Sequence, residues 1–146
     1  MRYEALISRD GGARVARFPD CPGCHTQADR GEDIGRLAQD ALEGWLETHL
    51  VLGRVPPLPS SARRRPRGKA RVIAVPVSPT LTARIQLRHA RHRAGLSQGE
   101  LARRLGVSQQ QVAALEAPDS NMSLATLAQV AEALGCEVEI GLVEKV

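Results

Sequence analysis

Apolar residues alternate with polar ones at the start of the chain and recur at three- and four-residue intervals further on, so strands are predicted first and helices after them. Tyr3, Ala5 and Ile7 share one face at period two, and Asp10, Gly11 and Gly12 follow as residues that tolerate positive φ. A strand entering a hairpin is predicted, with Ala13 to Phe18 as its return, stopped by Pro19. Pro22 and Gly23 make the next turn, before a short strand from Cys24 to about Ala28. From Gly31 the period changes, and Ile34, Leu37, Ala38, Ala41, Leu42, Trp45, Leu46 and Leu50 form one broad stripe. This predicts a helix packed on a three-stranded antiparallel sheet, with Phe18 and Trp45 in the shared core. Asp29, with Glu32 three residues on, is the expected N-cap; Gly53 before Val55, Pro56 and Pro57 is the expected stop.

Periodicity then lapses. Arg54 to Arg71 is rich in Pro, Ser and Arg, with six basic residues from Arg63 to Arg71, and reads as an exposed basic loop. Arg71 to Val77 is a short apolar run suited to a fourth, edge strand ending near Pro76. Helical spacing returns at Thr80 to Ala94, with Leu87, Ala90 and Ala94 inward, and again at Ser123 to Leu134, with Leu124, Leu127, Val130, Ala131 and Leu134 inward. The tail Glu137 to Val143 alternates Val138, Ile140 and Leu142, which predicts a strand paired either with Val72 to Val77 or with its own copy in a second chain.

Between those helices, Leu96 to Leu115 reads LSQGELARRLGVSQQQVAAL. Ser97 with Glu100 and Ser108 with Gln111 are two capping boxes, eleven residues apart. Leu101, Leu105, Val107, Val112 and Leu115 supply a shared core, Ala102 permits close approach, and Gly106 sits where the chain must turn. These residues resemble the Cro- and repressor-like helix-turn-helix family, over roughly Pro79 to Gly135. The resemblance implies that the second helix enters the major groove, that Gln98 donates to phosphate, and that Ser108, Gln109, Gln110 and Gln111 face the bases. Glutamine chemistry suits that role, because its amide pairs bidentately with adenine. The family commonly places Gly soon after the Glu that ends the recognition helix; here the chain reads Glu116, Ala117, Pro118, Asp119.

Charge sharpens the division. Residues 1–59 carry 7 Arg against 9 Asp and Glu, whereas residues 60–146 carry 13 Lys and Arg against 7 acids, so the positive charge belongs to the second half. A basic half next to a mildly acidic one points to a polyanion for the former and a different partner for the latter. Tyr3, Phe18 and Trp45 are the only Phe, Tyr or Trp residues, too few for a base-stacking platform. No apolar run approaches a membrane span and the first residues lack a secretion signal, so a cytoplasmic protein is expected, without membrane contact.

The first half has a resemblance of its own. YEALISRDGGARVARFPDCPGCHTQAD, the long helix and the Pro-rich exit are similar to the HicB antitoxin family, whose pattern this chain keeps at Phe18, Pro19, Asp20, Pro22, Gly23, Cys24, Thr26 and Asp29, with Ala28 where Gly is common. With the helix-turn-helix, the likeness spans nearly the whole chain. It implies an antitoxin of a type II toxin–antitoxin system that neutralises a HicA-like mRNA-cleaving toxin and represses its own operon on double-stranded operator DNA. One recognition helix contacts only a few base pairs, so a homodimer or dimer of dimers on a two-fold operator is expected. The expected fold class is α+β: residues 1–77 form a small antiparallel sheet with one packed helix, a partial RNase H-like fold that includes the basic loop 54–71, and residues 78–146 form an all-α helix-turn-helix domain with a terminal strand.

Other chemistry carries less. Cys21 to His25 spells C-x-x-C-H, but haem attachment needs export and the pair lies in a Pro-Gly turn, so a structural turn is the better reading. His89 and His92 lack companion ligands and fit a solvated basic face with Arg88, Arg91 and Arg93. Glu4, Asp10, Asp20 and Asp29 have no arrangement that specifies a metal-dependent nuclease. No catalytic residue, metal or cofactor is assigned, and the toxin-contacting residues are not identified. A ligand-responsive repressor, with the first domain as sensor, is the alternative.

Overall fold

The computed structural model describes residues 1–62 and 64–145. The chain divides into two compact units, Met1–Thr82 and Ala83–Val146.

In the first unit, β1 (Arg2–Asp10) reverses at Gly11 and Gly12, whose φ values of 55° and 94° strain any residue with a Cβ, and returns as β2 (Ala13–Arg17). β3 (His25–Ala28) follows the Pro-Gly turn, and β4 (Arg71–Pro76) closes an antiparallel sheet of order β3-β2-β1-β4. The register sets Tyr3 opposite Val75, Ala5 opposite Ile73 and Ile7 opposite Ala16, so alternation gathers these side chains on one face. Against the sheet lies α1 (Ile34–Val51), which buries Ile34, Ala38, Leu42, Leu46 and Leu50. Phe18 is buried as expected, but Trp45 is half-exposed and stacks on His49 with ring centroids 3.7 Å apart.

The helix starts later than the sequence suggests. Asp33, not Asp29, is the N-cap, accepting from the amides of Gly35 at 2.9 Å and Arg36 at 3.3 Å. Asp29 and Glu32 instead close the preceding turn: the Asp29 amide donates to Glu32 Oε2 at 2.7 Å, and the Glu32 amide donates to the Asp29 carbonyl. The predicted stop at Gly53 holds, with φ of 70° and its amide on Leu50 O.

The segment between α1 and β4 is exposed in the main, yet it is pinned to the sheet. Tyr3 Oη donates to Pro57 O at 2.7 Å, Asp20 accepts from the Ser60 amide at 3.0 Å and the Arg64 guanidinium at 2.6 Å, and Glu4 accepts from the Arg64 amide at 3.1 Å. Asp20 and Glu4 are therefore anchors for this loop. Arg63, the first residue of the basic run, lies outside the described residues.

The second unit holds α3 (Gln98–Leu105), α4 (Gln109–Glu116), α5 (Leu124–Ala133) and most of α2 (Pro79–Arg93), in which the division falls. Leu87, Ala90, Leu101, Ala102, Val112, Val130 and Leu134 form its core, with Leu105, Leu115 and Leu127 packed at the margin. Three residues expected inward are not: Ala94 is exposed, Val107 is 38% exposed and Leu124 is 64% exposed. Leu124 is the first residue of its helix. After α5 the chain turns at Gly135, and residues 137–145 form no strand within the chain. The expected pairing with Val72 to Val77 is absent: β4 pairs with β1, and Val138, Ile140, Leu142 and Val143 are left exposed.

Candidate nucleic-acid interface

Two adjacent helix N-termini define the site. Ser97 accepts from the Glu100 amide while Glu100 Oε2 accepts from the Ser97 amide, and Ser108 with Gln111 repeats the arrangement. Both predicted capping boxes are thus present. The hydrogen bonds from Ser97 also hold the Glu100 carboxyl below its ordinary range. Between the helices Gly106 takes φ 68° and ψ 30°, its amide reaching Arg103 O while the Val107 amide reaches Ala102 O. Those paired bonds end α3 as a Schellman turn, which only Gly enters without strain. The turn brings the helix starts together: a Cβ on Gly99 would lie 3.5 Å from Gln109 Oε1. Free amides and positive dipole ends therefore share one side of the unit, an arrangement suited to phosphate.

The five residues the sequence singles out differ in their engagement. Ser108 is held by its cap, and Gln111 Oε1 accepts from the Ser108 amide at 2.9 Å. Gln98 Nε2 donates to Glu116 Oε2 at 3.1 Å, leaving one N–H of its amide for a ligand. Gln109 and Gln110 are exposed, with no side-chain hydrogen bond among the described residues.

Beneath this surface is a polar centre that sequence reasoning missed. Glu116, at the end of α4, is buried, and so are Arg88 and Arg91 of α2. Glu116 Oε2 accepts from Arg88 Nε at 3.2 Å, from Arg91 at 3.0 Å and from Gln98, while Arg91 Nε donates to Oε1 and Arg91 also reaches Leu96 O at 2.9 Å. One carboxylate thus ties α2, α3 and α4 together. Burial alone would push its pKa up, but the hydrogen bonds from Arg91 and Gln98 and the charges of Arg91 and Arg88 outweigh that and hold it below the usual glutamate range. Arg88 and Arg91 are accordingly not part of a solvated face, although His92 and Arg93 are exposed. The available signal was the spacing of Arg84, Arg88 and Arg91, which puts three guanidinium groups on one stripe of α2. The third of them reaches the exit loop: buried Arg84 donates to Ser120 Oγ at 3.0 and 3.1 Å, in the segment where the family commonly has Gly.

In the first unit the C-x-x-C-H segment is a closed turn. The Phe18 amide donates to Cys24 O, that of Cys21 to Phe18 O and that of Cys24 to Cys21 O. Both thiols are buried, and burial pushes Cys21 up to about 12 and Cys24 up to about 11, which leaves them protonated and poorly nucleophilic at neutral pH. Among the described residues no group of three His, Cys, Asp or Glu could hold a metal ion, and no helix is long and apolar enough to cross a membrane.

A helix-turn-helix family profile matches residues 87–140. Two curated proteins of Photorhabdus laumondii subsp. laumondii align over nearly the whole chain: Antitoxin HicB 1, 31% identical over 144 residues, covering 97% of this chain and 87% of that one, and Antitoxin HicB 2, 29% identical over 140 residues, covering 96% and 95%. A chain from a solved HicA3 and HicB3 toxin-antitoxin complex is 21% identical and superposes with a TM-score of 0.44, covering 54% of this chain and all of that one.

Proposed function

Because the chain belongs to the HicB antitoxin family, we propose that it is the antitoxin of a type II pair, acting in the cytoplasm: residues 1–77 bind and block a HicA-like mRNA-cleaving toxin, and residues 78–146 repress the operon by binding operator DNA. The observation that carries this is the span of the likeness. A repressor sharing only its DNA-binding part would align over the second unit alone, whereas the antitoxin relatives align over 96% and 97% of the chain. Co-expression with a HicA-like toxin tests it: the toxin should co-purify and cell growth should recover. A folded protein that neither retains the toxin nor restores growth would overturn the reading.

On the operator, Gln109 and Gln110 are proposed to read bases, with Ser108 and Gln111 contributing from their capped positions at the start of α4. Gln98 is proposed to hold phosphate, oriented by its bond to Glu116. Changing Gln109 and Gln110 to Ala should remove ~1–3 kcal/mol of base discrimination for each bidentate pair removed. Folding should be little affected, because both side chains are exposed and Ala is a strong helix former. Competition between operator and scrambled duplexes measures this, and toxin neutralisation should be unchanged.

A homodimer or dimer of dimers places two recognition helices on a two-fold operator, with half-sites about one helical turn, ~34 Å, or a multiple apart. The alternating tail, unpaired within the chain, is proposed as the self-contact. Deleting residues 137–146 should weaken dimerisation in sedimentation; a truncated chain that dimerises as before would remove that role.

A further inference from the structure

At one end of the sheet in the first unit lies a cleft of about 650 Å³ lined by Arg9, Arg14, Arg67, Lys69 and Arg71; its other three lining residues are uncharged. The register explains part of the gathering. Arg9 stands directly across from Arg14, and Ile7 across from Arg71, so alternation puts three guanidinium-bearing positions on one face of the sheet. Asp10, the nearest acid in β1, alternates to the opposite face. Arg67 and Lys69 enter from the loop that precedes β4.

Like charges set directly opposite in a sheet destabilise it. The fold relieves little of this: Arg14 donates to the Glu32 carbonyl, but Arg9, Arg67, Lys69 and Arg71 have no carboxylate partner among the described residues. Arg64, a few residues earlier in the same loop, shows the contrast, since Asp20 neutralises it. Five cations around a cleft with no acid in its lining create a positive potential that a polyanion relieves.

We infer that this cleft is a second, sequence-independent DNA surface that takes the phosphodiester backbone of duplex DNA. It rests on the reading that the same chain holds operator DNA, which presents a duplex at high effective concentration. The chemistry of the lining favours a duplex over a single strand. No aromatic residue lines the cleft, whereas unpaired bases are held by stacking. The cleft would then add affinity and salt sensitivity, while sequence reading stays with α4.

The test uses full-length Arg67→Ala/Lys69→Ala/Arg71→Ala, sparing Arg14 because of its bond to Glu32. Affinity is measured against salt on an operator duplex with flanks, on an unrelated duplex of equal length, and on a single-stranded RNA of that length. On both duplexes the slope of log affinity against log salt should fall by about 2–3, near 0.9 for each phosphate no longer neutralised, with the operator preference unchanged. Arg2→Glu/Arg36→Ala removes the same charge away from the cleft and should leave the slope as it was. Should the triple variant melt early, Arg67→Gln/Lys69→Gln leaves β4 intact and should lower the slope by about 2. An unchanged slope on both duplexes, an equal fall in the control, or a fall confined to RNA overturns the inference. Failure of base reading registers separately, as a Gln109/Gln110 variant that still prefers its operator while the cleft variant loses slope.

Discussion

Glu116→Ala is expected to unfold the second unit and abolish operator binding while the first unit stays folded. The substitution leaves Arg88 and Arg91 buried without their carboxylate, and removing one member of a buried pair costs ~3–5 kcal/mol. A unit of this size is stable by only about 5 kcal/mol, so the loss is nearly complete. Calorimetry should show one transition displaced or missing. Acid should act on the same group. Because the folded pKa of Glu116 lies below its unfolded value, its contribution is present above the unfolded glutamate value of ~4.3 and is lost as pH falls through the folded one. The second unit should therefore melt earlier below about pH 4. Arg88→Met/Arg91→Met/Glu116→Leu provides the converse: replacing a buried ionic cluster by apolar residues of similar size is often neutral or stabilising. That variant should fold yet bind operator less tightly, since Gln98 loses the acceptor that orients it. A Glu116→Ala protein with both transitions unmoved would show that the cluster contributes nothing to the fold.

What was legible in the sequence follows the range of the interactions concerned. Strand alternation, the Gly11–Gly12 turn, both capping boxes and the Gly106 turn each depend on residues within a few positions of one another, and all are present. The start of α1 was harder, because Asp29 and Asp33 both stand ahead of the apolar stripe and the Glu32 bond to the Asp29 amide mimics half a capping box. The larger misses are long-range. Arg88 and Arg91 look solvated when α2 is read alone, since the carboxylate they enclose comes from Glu116, 25 or more residues later. Likewise, a Pro- and Arg-rich composition suggests only an exposed loop and gives no sign of its anchors, Asp20 and Glu4, which hold it from 40 to 60 residues away. The cleft cations combine both cases: β1 and β2 are local, but Arg67, Lys69 and Arg71 join them only through the β1–β4 pairing.

Phe18→Ala is expected to produce the opposite phenotype to Glu116→Ala. Phe18 is 3% exposed, and its backbone closes the turn that holds Cys21 and Cys24, so truncation opens a cavity where β2 ends. Emptying a buried Phe site costs ~3–5 kcal/mol, depending on how far the surroundings relax. The first unit should lose most of its stability and with it the capacity to hold the toxin, while the transition of the second unit and its operator preference persist. Trp45→Ala is the internal comparison. Its ring is half-exposed and lies on His49, so it should cost less, and toxin binding should survive. Both variants are to be assayed on single preparations for toxin inhibition, operator binding and two-transition melting. Division of labour requires that Phe18→Ala lose toxin inhibition yet keep its preference for operator over unrelated duplex, whatever affinity the cleft had added, and that Glu116→Ala lose that preference yet still inhibit the toxin. Loss of both activities in either variant would mean that the two units do not fold and act independently.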